Sequence, residues 1–313
     1  MNPPFHVVFC GTPRFAVPTL ETLARAGFEV NLVVTQPDKP KGRGMEVAFS
    51  PVKQSALALN LPVVQPEKIK NNLEFRAQLE SLRPDAIVVV GYGRIVPQWM
   101  IDLPPLGNIN LHASLLPKYR GAAPIQWAIA SGETITGVTI MRIDAGLDTG
   151  NILQQHEMEI DHEDTAETLA PKLASVGAEL MVDTLLSCRN GTIQPQAQDH
   201  ALASLAPILR KEDGQIDFQR SATETYNRLR GFQPWPGAFT RFRERQLVVC
   251  SARVADGNFS LPPGELIIGG SRLRVACCDS VLELLEVQPE GKKRMLARDF
   301  INGYRPHAGE RLG

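Results

Sequence analysis

No stretch of about 18 consecutive apolar residues occurs in the 313-residue chain, so no segment is expected to span a membrane. The opening M-N-P-P-F-H-V-V-F-C-G has no basic segment leading into a long apolar one, and no secretory signal is expected. Cysteine is scarce. Cys10, Cys188, Cys250, Cys277 and Cys278 form no C-x-x-C pair, which argues against a zinc site or a disulfide frame and leaves reduced cytosolic thiols. Also missing are a G-x-G-x-x-G turn after the first strand, a G-x-S-x-G nucleophile elbow, internal repeats and low-complexity tracts. A dinucleotide, a metal and a covalent serine or cysteine intermediate are therefore not expected, and a cytoplasmic location is.

What is present is ordinary for a folded protein: 43% hydrophobic and 21% charged residues, with a length that suits two domains or one large domain with an appendage. The formal charge of −1 hides an asymmetry. Residues 1–205 hold 16 Lys and Arg against 21 Asp and Glu, whereas residues 206–313 hold 17 against 13, and 14 of those 17 cations are Arg. A polyanion would be drawn to the second part and mildly repelled by the first, although such an excess also suits a plain soluble surface.

The first part alternates strands and helices. Strands are expected at 6–10, 31–35, 62–65, 85–91, 136–143 and 151–160, with helices following Phe15, from Ser50 to residue 60, and at 74–82, 122–130 and 164–188. That order predicts a doubly wound α/β domain with a mostly parallel sheet. Residues 35–50 read as a long loop carrying Lys39, Lys41 and Arg43: a solvated loop, or a flexible basic finger over an anionic ligand. Residues 190–209 lose periodicity and are expected to link a domain at 1–189 to one at 210–313. Beyond a helix at 221–230, closely spaced strands at 238–242, 246–255, 265–268, 272–276 and 281–288 predict a small barrel.

The stretch 107–121, G-N-I-N-L-H-A-S-L-L-P-K-Y-R-G, carries the chemistry. Its first half alternates, with Asn110 and His112 on one face; Pro117 and Gly121 then end the strand before a helix. An amide and an imidazole at a strand end stand where α/β sheets bind ligands, or else form the polar face of an edge strand. Asp148 lies in a glycine turn after a later strand, where it is either a catalytic carboxylate or a turn former. Amide, imidazole and carboxylate together suit direct acyl transfer to an amine, since charge develops on the carbonyl oxygen while a proton leaves the nitrogen.

The motif I-N-x-H-x-S-L-L-P-x-Y-R-G, followed by D-x-G-L-D-T-G, resembles the folate-dependent formyltransferases. The likeness extends through F-C-G-T-P-x-F-A at 9–16, T-Q-P-D-K-P-x-G-R-G at 35–44, S-P-V-K at 50–53, V-V-x-Y-G-R-I-V-P at 89–97, G-A-A-P-I-Q at 121–126, K-E-D-G-x-I-D at 211–217 and P-W-P-G at 234–237. It is fullest with the branch that acts on methionyl-tRNA. The resemblance implies a Rossmann-like formyltransferase domain, an OB-like tRNA-binding barrel, and formyl transfer from 10-formyltetrahydrofolate to the α-amino group of methionyl initiator tRNA through a tetrahedral intermediate. It implies Asn110 and His112 on the oxyanion, Asp148 holding His112 charged and relaying a proton, Ser114, Leu115, Leu116 and Pro117 along the folate site, and Gly93, Arg94, Ile95 and Val96 beside the pterin. Lys39, Lys41, Arg43, Arg210 and Lys211 would meet tRNA, and the protein is expected to act as a monomer. Ile208 stands where a lysine is usual, Gln233 where an asparagine is, and Ala113 where a glycine is frequent. Two alternatives remain: the same first domain acting on a small amine such as a glycinamide or amino-sugar nucleotide, and a non-catalytic tRNA- or folate-binding protein.

Overall fold

The apolar run H-V-V-F-C-G leaves no wet face and forms β1 (His6–Gly11) inside a sheet. In the computed structural model, which describes residues 4–41, 46–255 and 261–313, the chain continues through α1 (Val17–Arg25) and β2 (Glu29–Val34). A ribbon of β3 (Lys39–Lys41) and β4 (Glu46–Ala48) precedes α2 (Pro51–Ala58), β5 (Val63–Val64), α3 (Leu73–Leu82), β6 (Ala86–Val90) and the short α4 (Gln98–Ile101). Next come β7 (Asn108–His112), α5 (Pro124–Ala130), β8 (Ile135–Arg142), β9 (Ile152–Glu159) and the long α6 (Ala166–Arg189). Caps set two of the helix starts. The Ser50 hydroxyl accepts from the Lys53 amide at 3.1 Å with Pro51 at the first helical position, and the Asn72 amide oxygen accepts from the Phe75 amide at 3.0 Å.

The seven strands lie in the order β5-β2-β1-β6-β7-β8-β9. Neighbours from β5 to β7 are parallel, and β8 and β9 are antiparallel additions. Every residue of β6 is buried, as a strand covered on both faces requires. Gly177 brings α6 close to β7, since a Cβ there would stand 2.7 Å from a Leu111 methyl.

Residues 35–50, expected as loop, are partly ordered otherwise: β3 and β4 pair antiparallel, with Pro40 opposite Val47. A two-stranded ribbon has open edges on both sides, so it tolerates a proline that cannot donate. Arg43 lies outside the described residues.

After residue 207 the chain forms α7 (Ala222–Gly231), whose capping box joins Ser221 and Glu224. It then builds β10 (Ala238–Phe242), β11 (Arg245–Ala255), β12 (Leu266–Gly269), β13 (Arg272–Ala276), β14 (Val281–Pro289), β15 (Met295–Leu296) and α8 (Ala297–Tyr304). The strands form a six-stranded antiparallel sheet, β10-β11-β14-β13-β12 with β15 on β14. Leu247, Val249, Leu273, Val275, Leu282, Leu284 and Phe300 fill its core. The short elements α4, β15 and α8 have no counterpart among the sequence expectations. Asn302 and Gly303 weaken the helical propensity that would have announced α8.

Two compact units result: residues 1–124, 135–159 and 170–207, and residues 125–134, 160–169 and 208–313. Residues 190–207, within the segment expected as a linker, belong to the first unit. There the Arg120 amide donates to the Ser204 carbonyl at 2.8 Å, and the Ala206 amide to the Arg120 carbonyl at 2.7 Å. In the second unit, Trp127 packs edge-on against Phe232 at 5.4 Å.

Gly137 marks the tightest strand approach in β8: a Cβ there would stand 2.1 Å from the His156 carbonyl oxygen and 2.6 Å from a Leu115 methyl. Gly137→Ala is expected to cost about 1–3 kcal/mol of stability through overpacking, read as a lower urea midpoint at unchanged slope.

Candidate active site

β7 is an interior strand, parallel to β6 and antiparallel to β8, with Met141 opposite Asn110 and Thr139 opposite His112. The edge-strand account of Asn110 and His112 is therefore excluded. The His112 ring is only 6% exposed. Its Nε2 lies 2.9 Å from the Tyr119 carbonyl oxygen, and because a carbonyl only accepts, Nε2 carries a hydrogen. Nδ1 faces Asp148 with 3.7 Å to Oδ2, within ion-pair range but beyond a hydrogen bond. That carboxylate oxygen also accepts the Gly121 amide at 2.8 Å. Both residues that address the ring have left-handed backbones, Tyr119 at φ 60° and Asp148 at φ 51°. Such conformations cost about 1–3 kcal/mol each and persist only where surroundings enforce them. The half-buried Asn110 amide forms no side-chain hydrogen bond among the described residues, which leaves its N–H groups for a ligand.

Those surroundings are a web of polar contacts. The fully buried Thr139 hydroxyl donates to the Ser114 carbonyl at 2.6 Å and accepts from the Leu116 amide at 3.1 Å, holding the loop that follows His112. The Gln155 amide donates to the Leu116 carbonyl and to Thr139, both at 2.9 Å. Ser114 is itself buried and donates to the Lys118 carbonyl at 2.6 Å. On the Asp148 side, the Gln198 amide donates to the carbonyls of Asp148 and Gly150 at 2.9 and 2.8 Å. Its oxygen accepts from Arg120 at 2.6 and 3.1 Å. Thus 190–207 supplies the brace for the Asp148 turn.

The neighbouring strand ends complete the rim. The Gln36 amide donates to the Tyr92 carbonyl at 2.8 Å, and the Thr12 hydroxyl to the same carbonyl at 3.3 Å, tying together the loops after β1, β2 and β6. Gly93 takes a left-handed φ of 74°, and a Cβ there would stand 2.6 Å from the Gln36 amide. Ile95 is 93% exposed, Val96 is half-buried, and Arg94 donates to the Glu67 carbonyl. Leu115 and Pro117 are half-buried and Leu116 is buried. Neither Cys10 nor Cys277 is poised as a nucleophile: burial pushes the Cys10 thiol well above its usual range and the Cys277 thiol up to about 11.

The formyl transferase family profile matches residues 5–185, and the profile of the formyl transferase C-terminal domain matches residues 208–305. The chain belongs to the formyl transferase family. It is 68% identical to methionyl-tRNA formyltransferase from Koribacter versatilis, over 98% of both chains. It is 62% identical to methionyl-tRNA formyltransferase from Acidobacterium capsulatum, over 98% of this chain and 99% of that one. The fold is shared with an N-formyltransferase from Helicobacter canadensis in complex with folinic acid and dTDP-3-aminofucose, at TM-score 0.66 and 20% identity, covering 91% of this chain and 99% of that one.

In this formyl transferase, Thr139, Gln155 and Gln198 went unnoticed in the sequence because each looks like an ordinary polar residue in a strand or a linker. Arg120 lies in the 107–121 stretch, where nothing local assigns it a role. Lys39 and Lys41 lie on β3, and Arg210 and Lys211 are exposed in the second unit. The ribbon's base is a clamp. Lys53 pairs with Asp38 and donates to Gln65 at 2.7 Å, while the Gln65 amide donates to Asp38 and to the Gln36 carbonyl, each at 2.8 Å.

Thr139→Val strips the Leu116 amide of its acceptor inside the core. It is expected to cost about 1–3 kcal/mol by urea unfolding. The hydrogen bond from Lys53 holds the Asp38 carboxyl below the usual carboxylate range. Its contribution is therefore present above the unfolded value near ~3.9 and lost as pH falls through the folded one. Asp38→Asn is expected to lower the neutral-pH urea midpoint and to flatten its decline on acidification.

Proposed function

We propose that this formyl transferase moves the formyl group of 10-formyltetrahydrofolate to the α-amino group of methionyl initiator tRNA. The observation that carries the reading is the unpartnered Asn110 amide beside a His112 ring fixed between the Tyr119 carbonyl and Asp148. The whole-length likeness to methionyl-tRNA formyltransferases supports the choice of acceptor.

The Asn110 N–H donates to the formyl oxygen as it gains charge in the tetrahedral intermediate. His112, carrying protons on both ring nitrogens, adds a positive charge there, which the Asp148 carboxylate stabilises from 3.7 Å. Asp148 helps pass the proton released by the attacking amine to the departing folate nitrogen as the carbon–nitrogen bond to folate breaks. Leu115, Pro117, Ile95 and Val96 offer apolar surface to the folate ring, with Ser114, Leu116, Gly93 and Arg94 shaping the loops beneath it. Residues 1–189 provide this chemistry. Residues 210–313 grip the tRNA, aided by Arg210 and Lys211 and by Lys39, Lys41 and Arg43 of the 35–50 segment.

The test is radiolabelled formyl transfer to charged initiator tRNA, with charged elongator tRNA as comparison. Asn110→Ala is expected to lower kcat by about 10²–10³-fold, the scale of one lost oxyanion donor, and His112→Ala by at least as much. Filter binding should show the tRNA still held by both variants. Undiminished transfer by His112→Ala would remove the ring from the mechanism.

A further inference from the structure

A cleft of about 200 Å³ opens in the second unit, lined among others by Phe242, Arg245, Gln246, Pro289, Lys292 and Tyr304. It lies where two basic turns come together. The β10–β11 turn reads R-F-R-E-R at 241–245, and the turn after β14 carries K-K-R at 292–294. Because β11 pairs with β14, Leu247 stands opposite Pro289, and the Glu290 amide donates to the Gln246 carbonyl at 2.9 Å.

Several of these cations are already committed. Arg243 is held by the Glu310 carboxylate at 2.8 and 3.1 Å and by the carbonyls of Tyr304 and Arg305. Arg294 pairs with Glu286, and Arg241 with Glu244 at 3.7 Å. Arg245, Lys292 and Lys293 are exposed and form no ion pair among the described residues, and Glu290 is the one acid in the lining. The cleft also has a flat apolar wall. Phe300 is buried and stacks on Tyr304 with centroids 4.7 Å apart at 19°, and Tyr304, at the outer end of that stack, is half-buried. A stack ending in the same cleft as exposed cations matches a molecule that carries both a planar π face and a negative charge.

We propose that this cleft takes one unstacked nucleotide of the RNA substrate, with its base continuing the Phe300–Tyr304 stack and its phosphate between Arg245 and Lys292. The assignment rests on the reading of RNA as acceptor. The exposed cations in the same lining favour a nucleotide over an apolar peptide, which would leave them without partners.

The experiment uses the full chain and initiator tRNA, with binding measured by fluorescence anisotropy at several salt concentrations. The double variant Arg245→Gln/Lys292→Gln is expected to weaken binding at least tenfold near physiological salt. It should also lower the slope of log affinity against log salt by about one, for the single phosphate held between the two side chains. Tyr304→Leu, which keeps an apolar side chain against Phe300, should weaken binding without changing that slope. Both variants should reach wild-type kcat at saturating tRNA, since neither alters the residues around His112. If Tyr304→Leu melts early, the exposed double variant decides. A wild-type chain that formylates methionyl-tRNA while the double variant matches it in affinity and slope would overturn the cleft. A wild-type chain without such turnover would instead overturn the RNA acceptor.

Discussion

Two left-handed backbones fix one imidazole. Tyr119 turns its carbonyl onto Nε2 of His112, and Asp148 turns its carboxylate toward Nδ1, each from a conformation that a non-glycine residue adopts only under constraint. The rest of the first unit supplies that constraint. If either loop relaxed to an ordinary backbone, the ring would lose its tautomer or its counter-charge. The cost of holding both is met by buried hydrogen bonds around them.

Those hydrogen bonds explain why the site can be stiff. Thr139, Gln198 and Arg120 are buried polar groups placed where water cannot serve them, so each must find its partners within the protein, and the exposed Gln155 adds its amide to Thr139. Thr139, Gln155 and Gln198 bond to backbone carbonyls and amides of the loops bearing Ser114–Leu116 and Asp148, and Arg120 holds the Gln198 side chain in place. A donor fixed in advance stabilises developing charge without reorganising during the reaction, which is the property an oxyanion site needs. The single carboxylate oxygen shared by Gly121 and His112 couples the two loops directly.

The two units divide the work differently. The parallel sheet gathers strand ends from β1, β2, β6 and β7 into one rim, the usual place for ligands in such folds. The second unit is an antiparallel sheet with Arg-rich turns, and its cleft joins unpaired cations to an aromatic stack. The same overall fold occurs in an enzyme of 20% identity whose structure holds an amino-sugar nucleotide. Architecture alone therefore does not choose the acceptor, and side chains grafted onto it do.

Much of the architecture was legible in the residues themselves. The continuous apolar run of β6, the alternation in β7 and β9 and the Ser50-Pro51 helix start are local patterns, set by side-chain periodicity and capping within a few residues. The residue types Asn110, His112 and Asp148 were also legible as candidates, because few other side chains can donate to an oxyanion or move a proton near neutral pH. The sequence could not disclose the pairing of β3 with β4, the helix α8 that forms without strong propensity, or the docking of 190–207 onto the Asp148 turn. These depend on partners many residues away. Gln198 reaches Asp148 across 50 positions and Arg120 across 78. Sequence alone determined which groups were available for catalysis. Only the tertiary structure decided which groups the two nitrogens of His112 face, because the Tyr119 carbonyl is a group every residue carries alike and the Asp148 carboxylate arrives from a distant turn.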